Sequence, residues 1–252
     1  MKTGLKIRKN NLHLIDKFSD IFDFFEIYID RRFPLEKLRP YIGKNITIHA
    51  AHNDDKFDPS DTKLHSRCQK ILSLSVAAAN LVSSPWIIVH PGHSKTTCSK
   101  KNMITFFEKN WDQRIIFENC PLFALNENPQ NNKYLFSLPP EIKFLTEKFK
   151  TSFVLDFAHA ICTANLLHKD PKKIIRDFLS LSPCCFHISG IELDSVTDNH
   201  ENLFTTRNKM KYLRLITDGN KYFTFEVHPQ TIKNKKIQKK NLSFFRSIFT
   251  AP

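Results

Sequence analysis

Glycine is scarce in this chain, with five residues in 252. They assemble neither G-x-G-x-x-G nor a Walker A loop, so the open nucleotide-binding sheets lose their usual phosphate-cradling signature. Cys-x-x-Cys is absent too. The six cysteines are Cys68, Cys98, Cys120, Cys162, Cys184 and Cys185. The adjacent pair is poorly placed for an ordinary disulfide, and a chain of this length needs no covalent staples. Reduced thiols and a cytoplasmic location are expected. No apolar run approaches the roughly 20 residues that a membrane span requires, and residues 1–6 lack a signal-peptide core. The expectation is a soluble protein with no membrane partner. Acidic residues are outnumbered, 25 Asp and Glu against 38 Lys and Arg, for a net charge of +13. That balance favours an anionic partner: nucleic acid, a phosphorylated substrate or a membrane surface. The plainer alternative is a basic surface that only keeps the protein in solution.

What is present is the makings of a large core. Hydrophobic residues make up 41% and charged residues 25%, as in ordinary globular proteins. Residues 5–7, 25–29, 46–49, 86–90, 114–118, 153–156, 185–188 and 222–226 read as strands. Several are continuous apolar runs, the pattern of parallel strands covered on both faces. Helical spacing covers 12–25, 63–82, 100–110, 139–150, 171–181, 207–217 and 239–249. Strands alternating with helices imply βαβ units and a parallel sheet, either closed into a barrel or left open and doubly wound. Eight repeats and no nucleotide fingerprint favour the barrel. The fold class is therefore α/β, a single (β/α)8 TIM barrel over residues 1–252, with no linker or second domain. The basic stretch at 233–240 reads as solvated surface.

The strands end in a repeated way. Apolar runs stop at His49, His90, Glu118, Asp156, His187 and Glu226. His159 follows Asp156 in a D-x-x-H spacing, and Asp198-Asn199-His200 adds a D-x-H pair. In a parallel barrel the C-terminal strand ends share one face, where such enzymes place their active sites. Residues distant in sequence would then converge. Taken singly, a histidine at a strand end is an ordinary polar cap. Taken together, four carboxylates at close range repel unless protonated or neutralised by cations. Mixed histidine and carboxylate ligation suits zinc, with manganese or iron as competitors. Nine ligands exceed what one ion takes, so two or three ions are implied. His52, His93 and His228 are expected near the same mouth, behind the ligands or facing substrate.

The order His49, His90, Glu118, Asp156-x-x-His159, His187, Asp198-x-His200, Glu226 resembles the endonuclease IV family of apurinic/apyrimidinic endonucleases, within the xylose-isomerase-like barrel superfamily. Local contexts agree: Val89-His90-Pro91-Gly92, Phe117-Glu118-Asn119, Leu155-Asp156-Phe157-Ala158-His159-Ala160 and Asp198-Asn199-His200-Glu201-Asn202-Leu203. The resemblance runs from about residue 46 to 229. It implies three zinc ions. His49, His90 and Glu118 would hold the first. Glu118 would bridge to a second, completed by Asp156, His187 and Glu226. His159, Asp198 and His200 would hold the third. Glu118, Asp156 and Glu226 would be the catalytic carboxylates, and the substrate duplex DNA carrying an abasic site, cut on its 5′ side by a monomer during base excision repair. The chain departs from the family at His52, where Tyr is usual, at Phe204, where Gly is usual, and at Val227-His228-Pro229, where Thr-Pro is usual. Gly-x-His after the first strand is also absent. None of these falls on the nine ligand positions.

Two other readings stand beside this one. A sugar isomerase or epimerase of the same superfamily would use Glu118, Asp156, His187 and Glu226 around one divalent ion. A non-catalytic nucleic-acid-binding barrel would retain the residues without using them.

Overall fold

Eight strands close into a barrel in the computed structural model, which describes residues 1–52, 55–94, 98–123, 133–207, 210–217 and 220–250. They are β1 (Lys2–Arg8), β2 (Phe24–Ile29), β3 (Ile46–Ala50), β4 (Ile87–Val89), β5 (Ile115–Glu118), β6 (Phe153–Asp156), β7 (Cys185–Ile188) and β8 (Tyr222–Phe225). Each pairs in parallel with its neighbours in sequence, and β8 returns to β1. Helices and loops make every crossover. Outside the barrel, His93–Ser94 and Lys133–Tyr134 form a small antiparallel pair.

Several helix ends follow local chemistry. Ser99 and Asp170 accept hydrogen bonds from backbone N–H groups in the first turns of the helices Lys100–Lys109 and Pro171–Leu179, as N-caps should. The helix His65–Val82 stops at Ser83, which turns left-handed at φ 56°. The helix Lys235–Thr250 closes the fold, burying Leu242, Phe245 and Ile248. The phenylalanine excess fills the layer between barrel and helices. Phe107 meets Phe117 edge-on at 5.1 Å, and Phe245 packs on both Phe223 and Phe225.

Three elements depart from the sequence reading. Only Leu14–Phe18 is α-helical within 12–25. Residues 207–217 hold a short 3-10 turn, Lys211–Leu215, rather than a helix. Met210 before it sits at φ 48°, a conformation that an α-helix cannot include. A helix at Phe157–Leu166 was not anticipated. It is apolar on nearly every side and shows no 3.6-residue period.

The barrel interior is built in two levels. The floor is apolar: Ile88, Ile116, Val154 and Cys185, with Trp86 and Tyr222 against them. Gly4 belongs here, because a Cβ would overlap the Phe24 ring. Above the floor the interior turns polar. Register places Lys6 beside Glu26, Glu26 beside Thr47, and Thr224 beside His187. Tyr28 pairs with His49, and Asp156 with His187. Above the floor, strand alternation therefore aims apolar residues outward at the helices and polar ones inward.

Candidate metal centre

The strand ends deliver the side chains to one place. Eight of the nine expected residues fall into three overlapping groups, each with one ligand atom per residue, all within 4.8 Å of one another. These are His49, His90 and Glu118; then Glu118, Asp156, His187 and Glu226; then Asp156, His159 and Asp198. Glu118 belongs to the first two and Asp156 to the last two. His200 stands at the edge, its side chain 38% exposed and its Nδ1 3.2 Å from Asp198 Oδ2.

Local bonds orient these side chains. Asn119 Oδ1 accepts from the Asp156 N–H and its Nδ2 donates to Asp156 O, which extends the β5–β6 pairing past Glu118. Asp156 caps the helix that follows, its Oδ1 accepting from the His159 N–H at 2.8 Å. This holds His159 at the mouth. The loop after β7 is folded back by Gly190, whose N–H donates to Glu201 O. A side chain at Gly190 would strike the Asn202 carbonyl. Asp198 is then fixed by Ser189 Oγ and the His200 N–H, at 3.1 and 2.9 Å.

The histidine tautomers follow from their partners. A carbonyl only accepts, so a ring nitrogen facing one must carry the proton. His49 Nδ1 donates to Ala50 O at 2.6 Å, which leaves Nε2 facing Glu118 at 3.0 Å. His159 Nδ1 donates to Asn119 O at 2.8 Å, which frees its Nε2. His187 is reversed: Nε2 faces Glu26 Oε2 at 2.9 Å, and Nδ1 looks into the cluster. Orienting bonds of this kind accompany metal-ligating histidines.

The donor atoms fit cations better than they fit each other. His187 Nδ1 lies 2.7 Å from Glu226 Oε1, yet the two are not aligned as a hydrogen bond, and the nitrogen is buried without a hydrogen-bond partner. His90 Nδ1, Asp198 Oδ2 and His200 Nδ1 are likewise buried without one. Buried polar atoms are ordinarily satisfied. Charge points the same way. Burial raises the Asp156 carboxyl well above its usual range, and the charges of Glu118, Asp198 and Glu226 add to this. Burial opposes the charge of Glu118 as well, but the imidazoles of His187 and His90 outweigh it and hold that carboxyl low. Burial works against an imidazolium at His187, yet Glu26, Glu118 and Glu226 raise it well above the usual histidine value. Burial lowers His49 and His90. A raised Asp156 and a raised His187 are what crowded, uncompensated negative charge produces; cations would relieve it, and mixed nitrogen and oxygen donors suit zinc.

Two residues at the centre went unread in the sequence. Lys6 Nζ lies 2.5 Å from Glu226 Oε1 and 3.6 Å from Glu26 Oε1. Glu26 is wholly buried. Both looked like solvent-facing members of alternating strands. Of the other histidines, His52 stacks on His90 with centroids 5.0 Å apart and lines the cleft. His93 does not reach the mouth: it is 1% exposed, with Nδ1 on Asp58 Oδ2 at 3.0 Å. His228 is exposed, and its Nδ1 accepts a local turn bond from Gln230 N–H. The cleft over the cluster has a volume near 370 Å³ and is walled by Lys6, Arg8, His52, His159 and His200 among others.

No protein-family model matches the chain, and no curated protein matches it by sequence. Solved structures do match. Endonuclease IV from Thermus thermophilus superposes with a TM-score of 0.70 at 16% identity, covering 98% of both chains. A D-tagatose 3-epimerase-like protein gives 0.64 at 16% identity over 98% of this chain and 97% of that one. A putative xylose isomerase from Rhodospirillum rubrum gives 0.61 at 10% identity over 100% and 99%.

The fold is a xylose-isomerase-like TIM barrel.

Such barrels place their sites at the C-terminal strand ends, where the cluster lies. Neighbours at this identity include both a nuclease and sugar-converting proteins, so the reaction must be argued from the side chains. Among the described residues, no helix is long and apolar enough to cross a membrane, and none of the six cysteines is in a disulfide.

Proposed function

We propose that this protein is a metal-dependent phosphodiester hydrolase of the endonuclease IV type, cutting duplex DNA on the 5′ side of abasic sites. One observation carries the reading: Glu118 and Asp156 are each shared between adjacent ligand groups. Shared carboxylates are what a chain of neighbouring ions needs. A mononuclear sugar isomerase would need only the middle group and would leave His49, His90, His159 and Asp198 idle.

The residues would hold three ions in the order already given, with His200 beside Asp198. Divalent ions there would supply an activated water at neutral pH and neutralise the phosphate and leaving oxygens. The chain's own residues do the rest. Glu118, Asp156 and Glu226 supply the negative charge that fixes the ions. Asn119 and Glu26 keep their ligands in register. Lys6 stays charged: burial opposes its proton, but Glu226, Glu26 and Glu118 more than compensate. It presents that fixed cation on the cleft wall, where a phosphate oxygen would enter. His52 and Arg8 face the same space from the rim.

A second cleft supports a polyanionic substrate. The loop that carries Asp198 and His200 also supplies Arg207 and Lys211, which with Lys172 and Arg176 line a hollow near 490 Å³. Arg207 is partly neutralised by Glu192 and Asp194; the others add to a chain of net charge +13. Such a surface suits phosphate-backbone contacts.

The test is a labelled duplex carrying one tetrahydrofuran abasic analogue, incubated with zinc-loaded protein before and after chelation. Chelator-sensitive incision 5′ to the analogue is expected. An intact duplex would refute abasic-site cleavage.

A further inference from the structure

The Glu26 carboxylate is buried in the barrel interior and is absent from the nine ligands. Its Oε2 accepts from His187 Nε2 at 2.9 Å and from Thr224 Oγ1 at 3.0 Å. Its Oε1 faces Lys6 Nζ at 3.6 Å. Glu26 and His187 are both fully buried, so no water competes for these contacts. Because Thr224 and Lys6 are donors, Glu26 acts as an acceptor, and His187 must present Nε2–H to it. That leaves Nδ1 as the ring's only lone pair for the cluster. Nδ1 already points there, 2.7 Å from Glu226 Oε1 and 3.3 Å from Glu118 Oε2. Lys6 ties the same device to the other side of the cluster through Glu226, at 2.5 Å.

Glu26 also forms a tight group with His49 and His187, which raises the question of whether it is itself a ligand. Three contacts argue against this. His187 Nε2 and Thr224 both occupy its Oε2, and the Lys6 ammonium stands beside its Oε1. His49 donates Nδ1–H to the Ala50 carbonyl, and its remaining Nε2 faces Glu118, the carboxylate of the first ligand group.

We infer that Glu26 is a positioning residue, held by Thr224 and Lys6, which sets His187 to bind a divalent ion through Nδ1 in the Glu118–Asp156–His187–Glu226 position. The inference rests on the metal reading above. It makes that position the pre-oriented one, with the Asp156–His159–Asp198 position, next to the half-buried His200, the looser. Zinc should therefore fill the four-residue position ahead of the outer one, and Glu26 should matter only to the former.

The experiment is titration of zinc ions into metal-free full-length protein against a competing chelator, for the wild type, Glu26→Gln and Thr224→Val. Loss of an outer partner of a ligating histidine typically costs about 10–100-fold in metal affinity. Glu26→Gln should weaken one zinc equivalent by about that factor and leave the others unchanged. Thr224→Val removes one supporting hydrogen bond and should weaken the same equivalent by about 3–10-fold. Its small size keeps the test available if Glu26→Gln fails to fold. Nitrogen-15 spectra of zinc-loaded wild type should show the His187 proton on Nε2, a signature that a merely structural glutamate would not set. If wild-type protein binds zinc but both folded variants bind every equivalent equally well, or if the His187 proton lies on Nδ1, the inference is overturned. If the wild type binds no zinc at all, the metal reading itself fails.

Discussion

The side chain of Asn119 and the backbone of Asp156 close a ring of two hydrogen bonds, Oδ1 accepting from the Asp156 N–H at 2.7 Å and Nδ2 donating to Asp156 O at 3.0 Å. Both residues are buried. The ring sets the two carboxylates that link the ligand groups side by side.

Asn119→Ala should therefore act on stability and metal together. Leaving buried backbone groups unpaired costs about 1–3 kcal/mol, measurable by urea unfolding of the chelated protein. The same variant should lose the ions that share Asp156. Unchanged zinc binding would show that the ring is incidental.

Asp156 gives a pH prediction for the metal-free protein. Its folded carboxyl titrates well above the ordinary value of 3.8. The folded state then binds the proton more tightly than the unfolded state, so stability is full below the unfolded value and is lost as pH rises through the folded one. Asp156→Asn keeps the neutral shape. At pH 7–8 the chelated variant should be more stable than chelated wild type, by a margin that shrinks as pH falls toward the unfolded carboxyl value. Zinc should reverse the order, stabilising the wild type more. A variant less stable than wild type under chelation would contradict the crowded-carboxylate account.

Asp156 and His159 should separate by metal count. Asp156→Asn touches two ligand groups and should weaken two ions. His159→Ala touches one and should cost the outer ion alone. Metal analysis of the two purified variants distinguishes them, and loss of the same single ion in both would break the linked arrangement.

The basic hollow should govern affinity rather than chemistry. Reversing Lys172 and Arg176 to glutamate should weaken duplex binding for all sequences and flatten the slope of log affinity against log salt by about 2, each phosphate contact contributing about 0.9. Single-turnover cleavage at saturating protein should be little changed. An unaltered salt slope would remove this surface from the substrate path.

The barrel was legible because its strands are covered on both faces. Runs such as Ile115-Ile116-Phe117 have no polar side to confuse with a helix. Six of the nine candidate ligands were legible because each ends such a run, and His159, Asp198 and His200 because of their spacing from a neighbouring acid or base. Lys6 and Glu26 were not, since Leu5-Lys6-Ile7 and Phe25-Glu26-Ile27 look like half-exposed strands. In a closed barrel the polar half of that alternation has no solvent to face; it points inward. The corrective signal is physical: a charge within a strand of a βαβ repeat needs a buried partner, and a Lys and a Glu on adjacent strands supply one. The false helix at 207–217 came from Tyr212, Leu213 and Ile216, whose spacing imitates a helical face while Met210 turns left-handed.

The most direct test of the linked metal centre is elemental analysis of protein purified without added metal or chelator. Three zinc ions per chain are expected, falling in number with Asp156→Asn and His159→Ala as described. A single manganese or cobalt ion per chain would contradict the account and favour the four-residue site of a sugar isomerase.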